Sequence, residues 1–149
     1  MWINGIVVSG HGVASGAAAD PRFPAGTLAL QLPVFARLGL DLDGLYHGTL
    51  NVSVAPLVPR PQQALSTFRD VKWHPGCPAE NFSFFNMSIA TIEGEPVQAY
   101  IYWPHPETKP EHFQDPHVVE ILAPRLDDIA EGLPVRFWVD PGRMKFQDE

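Results

Sequence analysis

Two oxygen-bearing side chains, Thr49 and Asn51, lie two residues apart in a stretch that has the pattern of a β-strand. Side chains of a strand alternate between its faces, so these two point the same way, about 6 to 7 Å apart. A hydroxyl and an amide oxygen at that spacing suit Mg²⁺, which prefers oxygen ligands and also takes phosphate oxygens. Gly48, directly before them, lets a ligand approach the backbone closely. The alternative is a strand that opens with a turn glycine and carries two ordinary exposed polar residues.

A glycine-rich segment, Gly10-His11-Gly12 followed by Gly16, comes directly after the first predicted strand. Successive backbone N–H groups in such a segment can form a concave nest that binds phosphate. The segment lacks the Gly-Lys-Ser/Thr ending of a Walker P-loop, and the long helix of a dinucleotide-binding motif does not follow it. A flexible turn is the alternative interpretation.

Glu120 is an isolated carboxylate within an otherwise apolar strand predicted at residues 118–122. A carboxylate in a buried strand must be paired, hydrogen-bonded or functional, because burying an unpaired charge is costly. We therefore take Glu120 as a candidate catalytic residue. The alternative is an outward-facing glutamate on an edge strand.

Three histidines, His105, His112 and His117, cluster close to Glu120 in the sequence and suggest a transition-metal site. Their spacings of seven and five residues match neither a metalloprotease helix nor a zinc-finger pair, so solvated loop histidines are the alternative. Acyl-transfer chemistry has little support, since no Gly-x-Ser-x-Gly motif is present and Cys77 lies in a proline turn.

Size and charge restrict the class of protein. A chain of 149 residues with 45% hydrophobic residues predicts one globular domain, spanning 1–149, that can bury its own core. The formal charge of −7 argues against nucleic-acid and anionic-membrane partners, which require clustered basic residues. A single cysteine and the absence of an apolar stretch of about 20 residues predict a cytoplasmic protein.

The elements that must position these residues are short. The 16 prolines favour many short strands separated by stiff loops over long helices. A hairpin is predicted across Glu93-Gly94-Glu95, and residues 56–63 are predicted to be a proline-rich loop. One short helix is predicted at 34–38, ended by Gly39, and a second from Asp127 to Gly132. About seven strands are predicted, at 2–9, 27–32, 49–54, 82–93, 96–103, 118–122 and 135–139, with a further short one at 67–73. Closure into a small, mostly β barrel would remove the sheet edges.

Taken in order, several segments resemble the archaeal CTP-dependent riboflavin kinase family. The resemblance extends from about residue 5 to residue 139, and it includes a loop at 104–112 that contains Thr108. Its most specific parts are Gly48-Thr49-Leu50-Asn51 and Glu120-Ile121-Leu122-Ala123-Pro124, preceded in the chain by Val7-Val8-Ser9-Gly10-His11-Gly12.

The resemblance implies a fold, a reaction and a set of roles. The fold would be a mainly β, six-stranded cradle-loop barrel, and the reaction would move the γ-phosphoryl group of CTP to the 5′-hydroxyl of riboflavin, giving FMN. Thr49 and Asn51 would hold Mg²⁺, Thr108 would contact the flavin, and Glu120 would bind the flavin's ribityl chain or activate its hydroxyl. The residues that would bind the nucleotide are Gly10, His11, Gly12, Val13, Ser15, Gly16, Arg125 and Leu126.

The chain departs from the family pattern in two places. Some ten extra residues follow the glycine segment, and the Leu-Arg step after Ala-Pro is replaced by Arg125-Leu126-Asp127-Asp128. Two acids near a triphosphate would repel it unless a cation intervenes. Two further hypotheses stand beside the kinase. One is a barrel that binds a flavin, nucleotide or sugar phosphate without catalysis, and the other is a metal-dependent enzyme built on the three loop histidines and Glu120.

Overall fold

A computed structural model describes residues 2–8, 26–108, 115–126 and 129–148 of the chain. Within these ranges the protein is mainly β, with one helix. The elements are β1 (Trp2–Val8), α1 (Thr27–Arg37), β2 (Leu50–Ser53), β3 (Leu57–Pro61), β4 (Ser66–Val71), β5 (Glu80–Thr91), β6 (Val97–Pro104), β7 (Val118–Leu122), β8 (Pro134–Trp138) and β9 (Met144–Asp148).

Six of these strands form a ring-like sheet. Their order is β5-β6-β7-β2-β1-β8, and β8 also pairs with β5, which completes the ring. Every neighbouring pair in the ring is antiparallel. The twelve-residue β5 makes this possible, because residues 88–91 pair with β8 while its beginning pairs with β4 outside the ring. Strands β3 and β9 form a separate antiparallel pair. A small, mostly β fold, as the sequence predicts, is confirmed.

The side chains along the strands contribute alternately to two apolar clusters. Side chains on the inner face of the ring form the inner cluster, which includes Val52, Ile101, Ile121 and Phe137, all fully buried. This follows from the alternation of side chains along a strand, which turns every second residue inward. The inner cluster is the main hydrophobic core.

Helix α1 covers the second cluster, which lies on the outer face of the sheet. We call it the outer cluster; it contains Leu28, Phe35, Leu40, Leu42, Val71, Phe82, Phe84, Tyr102 and Leu122. The Phe35 ring meets the rings of Phe82 and Phe84 edge-on, with centroids 5.1 and 4.9 Å apart. Such edge-to-face contacts are the favoured geometry for aromatic pairs. They hold α1 against β5.

The strand predicted at 27–32 is wrong, because these residues are the first part of α1. Leu28, Gln31 and Phe35, which are buried together with Thr27, lie at the i, i+3 and i+7 spacing of one helical face. Leu30 is 39% exposed, which contradicts the leucine alternation that suggested a strand. The predicted helix at 34–38 is the end of the same helix, and Gly39 follows it with φ +108°.

Two other predictions differ from the structure. The predicted loop at 56–63 contains β3, which tolerates its prolines because it has a single neighbour, β9. The predicted helix from Asp127 is wrong where the structure describes it, since residues 129–132 form coil and a turn that ends at Gly132. The hairpin across residues 93–95 is confirmed by the pairing of β5 with β6.

Candidate functional site

The candidate functional site contains a row of polar side chains on three adjacent strands. In the sheet register Asn51 on β2 lies opposite Glu120 on β7, and Glu120 lies opposite Tyr102 on β6. Their neighbours along each strand, including Val52 and Ile121, belong to the inner cluster. The polar row therefore lies on the outer face of the ring. Because β7 has neighbours on both sides, the alternative that Glu120 lies on an edge strand is wrong.

Thr49 and Asn51 meet Glu120 in one small cluster, which we call the polar cluster. The Thr49 hydroxyl donates to Glu120 Oε1 over 3.4 Å, and the Asn51 amide nitrogen donates to the Thr49 carbonyl oxygen, also over 3.4 Å. Asn51 is only 8% exposed, although it is polar. The structure thus brings together the two predicted metal ligands and the predicted catalytic carboxylate.

Tyr102 and Gln31 extend this cluster toward α1. The Tyr102 hydroxyl donates to Gln31 Oε1 over 2.5 Å, and Gln31 is 2% exposed on the buried face of the helix. Burial raises the pKa of Tyr102 well above its usual value, and the negative charges of Glu120 and Glu80 raise it further. Tyr102 is therefore a neutral phenol that lies within the electrostatic field of Glu120.

The polar cluster fits a hard cation chemically. The Thr49 hydroxyl donates its hydrogen bond to Glu120, so the lone pairs of its oxygen can face a metal ion. Asn51 uses its amide nitrogen within the chain, which leaves the amide oxygen as the atom that would coordinate. Neutral oxygens beside a carboxylate are ligands that Mg²⁺ accepts together with phosphate.

A cavity of about 200 Å³ adjoins this cluster at Thr49. It is also lined by Gly48, Arg125 and Leu126. Arg125 and Leu126, two of the residues predicted to bind the nucleotide, therefore lie beside Thr49, a predicted metal ligand. The remaining lining residues are Tyr46, whose ring carries a hydroxyl, and the apolar residues Leu50, Ile121, Ala123, Pro124 and Ile129. The Tyr46 N–H donates to the Ala123 carbonyl over 3.0 Å, which fixes this tyrosine beside the 124–126 segment.

The predicted phosphate segment lies outside the described residues. This holds for Gly10, His11, Gly12, Val13, Ser15 and Gly16, as well as for Asp127 and Asp128. Strand β1, however, ends at Val8, which pairs with Asn51. The chain therefore leaves β1 directly beside the polar cluster.

Thr108, the predicted flavin contact, is held at the beginning of β5. Its hydroxyl accepts a hydrogen bond from the Asn81 N–H over 2.9 Å and donates to the His105 carbonyl over 3.2 Å. Thr108 is not among the residues that line the cavity at Thr49. The structure therefore places it in a different part of the sheet surface from the cavity.

A second hydrogen-bonded chain, which the sequence did not reveal, links Ser83, His105 and Glu107. Ser83 Oγ lies 2.7 Å from His105 Nε2, and His105 Nδ1 lies 3.1 Å from Glu107 Oε1. The order is that of a nucleophile, base and acid, but Ser83 is only 6% exposed and also bonds to Thr67 over 2.8 Å. We interpret this chain as the support of the segment that follows β6. Ser83 is on β5, whereas His105 and Glu107 both follow β6, and no sequence motif joins the serine to the other two.

Two of the three loop histidines, His105 and His117, make ordinary protein contacts. Both ring nitrogens of His105 are within hydrogen-bond distance of protein partners, and His117 Nδ1 lies 2.9 Å from the Leu57 carbonyl oxygen. His112 lies outside the described residues. Across the described ranges, no group of three or more histidine, cysteine, aspartate or glutamate side chains is arranged to hold a metal ion.

Comparison with known proteins adds no assignment. No model of a protein family matches the chain, and no curated protein matches it. The search for a membrane-spanning helix gave a negative result: in the described parts of the chain, no helix has the length and apolar character to cross a bilayer.

Proposed function

We propose that this protein is a riboflavin-kinase-like phosphotransferase. It would use Mg²⁺ to move the γ-phosphoryl group of a nucleoside triphosphate, CTP by resemblance, to the 5′-hydroxyl of riboflavin, giving FMN and a nucleoside diphosphate. The observation that carries the proposal is the contact of Thr49 with Glu120 beside Asn51. These three residues come from the two sequence elements that most specifically resemble the family.

The arrangement suits phosphoryl transfer, which depends mainly on positioning and on neutralising charge. Mg²⁺, when bound by Thr49 and Asn51, would supply that neutralisation at the phosphate oxygens. The glycine segment begins just after Val8, opposite Asn51, and would wrap the phosphates of the nucleotide at the same place. A metal and a phosphate nest would then act on the same triphosphate.

Glu120 would act on the acceptor. As the new bond forms between the riboflavin 5′-oxygen and the γ-phosphorus, the bond to the β-phosphate oxygen breaks, and the hydroxyl proton passes to the Glu120 carboxylate. A carboxylate at hydrogen-bond distance from the attacking hydroxyl can take that proton. Thr49 keeps Glu120 oriented toward the cation site through their hydrogen bond.

The finer features of the hypothesis belong to the same proposal. The ring of six strands would be the family's cradle-loop barrel, located in the cytoplasm. Thr108 would contact the flavin. Gly10 to Gly16, Arg125 and Leu126 would bind the nucleotide.

The test is FMN formation from riboflavin and Mg²⁺ with each of CTP, ATP, GTP and UTP, followed by chromatography. The proposal expects FMN with at least one triphosphate, most efficiently with CTP, and none without Mg²⁺. Absence of product with all four contradicts it. Tight ligand binding without turnover would instead support the non-catalytic barrel, and a stoichiometric transition metal on elemental analysis would support the histidine-based enzyme.

Glu120→Gln tests the assigned base. It keeps the size of the side chain but removes the charge, so kcat should fall about 10²- to 10⁴-fold. Glu95→Gln is the matched control, because Glu95 is exposed in the β5–β6 turn. Equal kcat in Glu120→Gln and the control would show that Glu120 takes no part in the reaction.

A further inference from the structure

The inference concerns the cavity beside the polar cluster and the pair of residues at its edge. Tyr46 is 48% exposed, and the guanidinium carbon of Arg125 lies 5.7 Å from the centre of its ring. Both side chains line the cavity that Thr49 also lines. An aromatic ring exposed at the edge of a small apolar cavity is an available stacking surface, because a planar ligand ring can bury it without moving the protein core.

We propose that Tyr46 and Arg125 form a recognition site for the base of the nucleotide, and that Arg125 donates hydrogen bonds to the base rather than to the phosphates. This rests on the proposed function and names the part of the substrate that each residue would contact. The resemblance to riboflavin kinases suggested only that Arg125 and Leu126 bind the nucleotide somewhere. It gave no role to Tyr46.

The position of Arg125 separates it from the phosphates. The phosphates would lie at Thr49, Asn51 and the end of β1, where the polar groups and the Val8–Asn51 pairing meet. Arg125 instead sits over an aromatic ring, on a wall shared with Leu126 and Ile129. A guanidinium in this position can stack on the ring and still direct N–H groups to the edge of a ligand.

Size and hydrogen-bond chemistry then select the base. Cavities for drug-sized ligands measure about 300–1,000 Å³, and this one, at about 200 Å³, is smaller. It suits a single-ring base better than a purine or the three-ring flavin. A guanidinium only donates hydrogen bonds, so Arg125 would favour two adjacent acceptors. Cytosine presents O2 and N3 as such a pair, whereas N3 of uracil carries a proton.

The experiment is calorimetric titration of the protein with CTP, UTP and inorganic tripolyphosphate in the presence of Mg²⁺. Tyr46→Ala should weaken CTP binding about 5- to 150-fold, the usual range for loss of one base–aromatic stack. Arg125→Ala should reduce the preference for CTP over UTP. Neither substitution should change tripolyphosphate binding, because that ligand has no base.

The matched control is Trp2→Ala. Trp2 is 44% exposed and stacks under Arg136, with 4.6 Å between the guanidinium carbon and the ring centre, but it is not among the residues that line the cavity. It should leave all three affinities unchanged. Unchanged CTP binding in both Tyr46→Ala and Arg125→Ala would overturn the inference, as would equal losses of CTP and tripolyphosphate. Failure of the wild-type protein to bind CTP would also overturn it.

These titrations also separate the inference from the proposed function. CTP binding that depends on Tyr46 in a protein that makes no FMN would support the inference and contradict the kinase. FMN formation with a KM for CTP that Tyr46→Ala leaves unchanged would support the kinase and contradict the inference.

Discussion

The two sides of the sheet are built differently. The inner cluster is made of apolar side chains such as Val52, Ile121 and Phe137. The outer side, beneath and beside α1, also buries Gln31 and Asn51. Burial of a polar group costs free energy unless a partner satisfies it, so the outer side is the less favourable way to fill a core. The difference indicates that the inner cluster mainly stabilises the fold. Under the proposed function, the polar cluster on the outer side would carry the phosphoryl transfer.

The partners on the outer side support this distinction. Gln31 accepts from Tyr102, Asn51 donates to the Thr49 carbonyl, and Thr49 donates to Glu120. The first contact joins α1 to β6, and the last joins the residue before β2 to β7. The two groups are neighbours, because Tyr102 lies opposite Glu120 in the sheet. Substitutions in the inner cluster should therefore differ from substitutions of the polar groups on the outer side in their effects on stability and on ligand binding.

Phe137→Ala should have the largest effect on stability. Phe137 is fully buried in the inner cluster, and its ring centre lies 5.4 Å from that of Phe146. Its truncation should lower the free energy of unfolding by about 3–5 kcal/mol, through lost burial and a cavity. Urea denaturation measures the loss. Trp138→Ala, at a 40% exposed neighbouring position, is the control and should cost much less. A similar cost at both positions would contradict the assignment of the main core to the inner face.

Gln31→Leu should have a smaller effect, because it removes an acceptor and leaves the apolar packing in place. The Tyr102 hydroxyl would then be buried without its partner, at a cost of about 1–3 kcal/mol. The double substitution Gln31→Leu with Tyr102→Phe should recover much of the loss, since both polar groups are then removed. Denaturation of the two single variants and the double variant tests this. Strictly additive losses would show that the two side chains are not coupled.

The smallest effect is expected from alkaline titration. The folded-state pKa of Tyr102 is raised, so above about pH 10 the unfolded chain loses this proton while the folded protein retains it. Stability should therefore fall as the pH rises above 10, and Tyr102→Phe should reduce that fall. Urea denaturation between pH 8 and pH 11 measures it, with Tyr46→Phe as the exposed control. An identical pH dependence in wild type and Tyr102→Phe would contradict the prediction.

The sequence predicted the strands whose pattern is set locally. The period-2 alternation of β8 and the hairpin of β5 and β6 could be read directly, because each depends on neighbouring residues. The alternation in the strand predicted at 49–54, of which β2 is the observed part, also predicted that Thr49 and Asn51 share a face. The hydrogen bond of Thr49 with Glu120 does not follow from any local pattern, since the two residues are 71 positions apart.

The sequence could not predict features that depend on distant partners. A glutamine is expected on the surface, but Gln31 is buried in the fold and accepts a hydrogen bond from Tyr102, 71 positions away. The leucines at 28, 30 and 32 alternate as in a strand, but the aromatic rings of β5 select the helical face of α1 instead. A role for Tyr46 could not be predicted, because only the folded chain places it beside Arg125.

The most direct test of the polar cluster as the site of phosphoryl transfer compares Asn51→Ala with Asn86→Ala in Mg²⁺-dependent FMN formation. Asn86 is an exposed asparagine on β5, outside the polar cluster, so Asn86→Ala removes the same kind of side chain at a position that takes no part in the proposed site. Asn51→Ala should abolish FMN formation while circular dichroism shows a folded protein, and Asn86→Ala should retain wild-type activity. Full activity of folded Asn51→Ala would contradict the assignment of the reaction to this cluster.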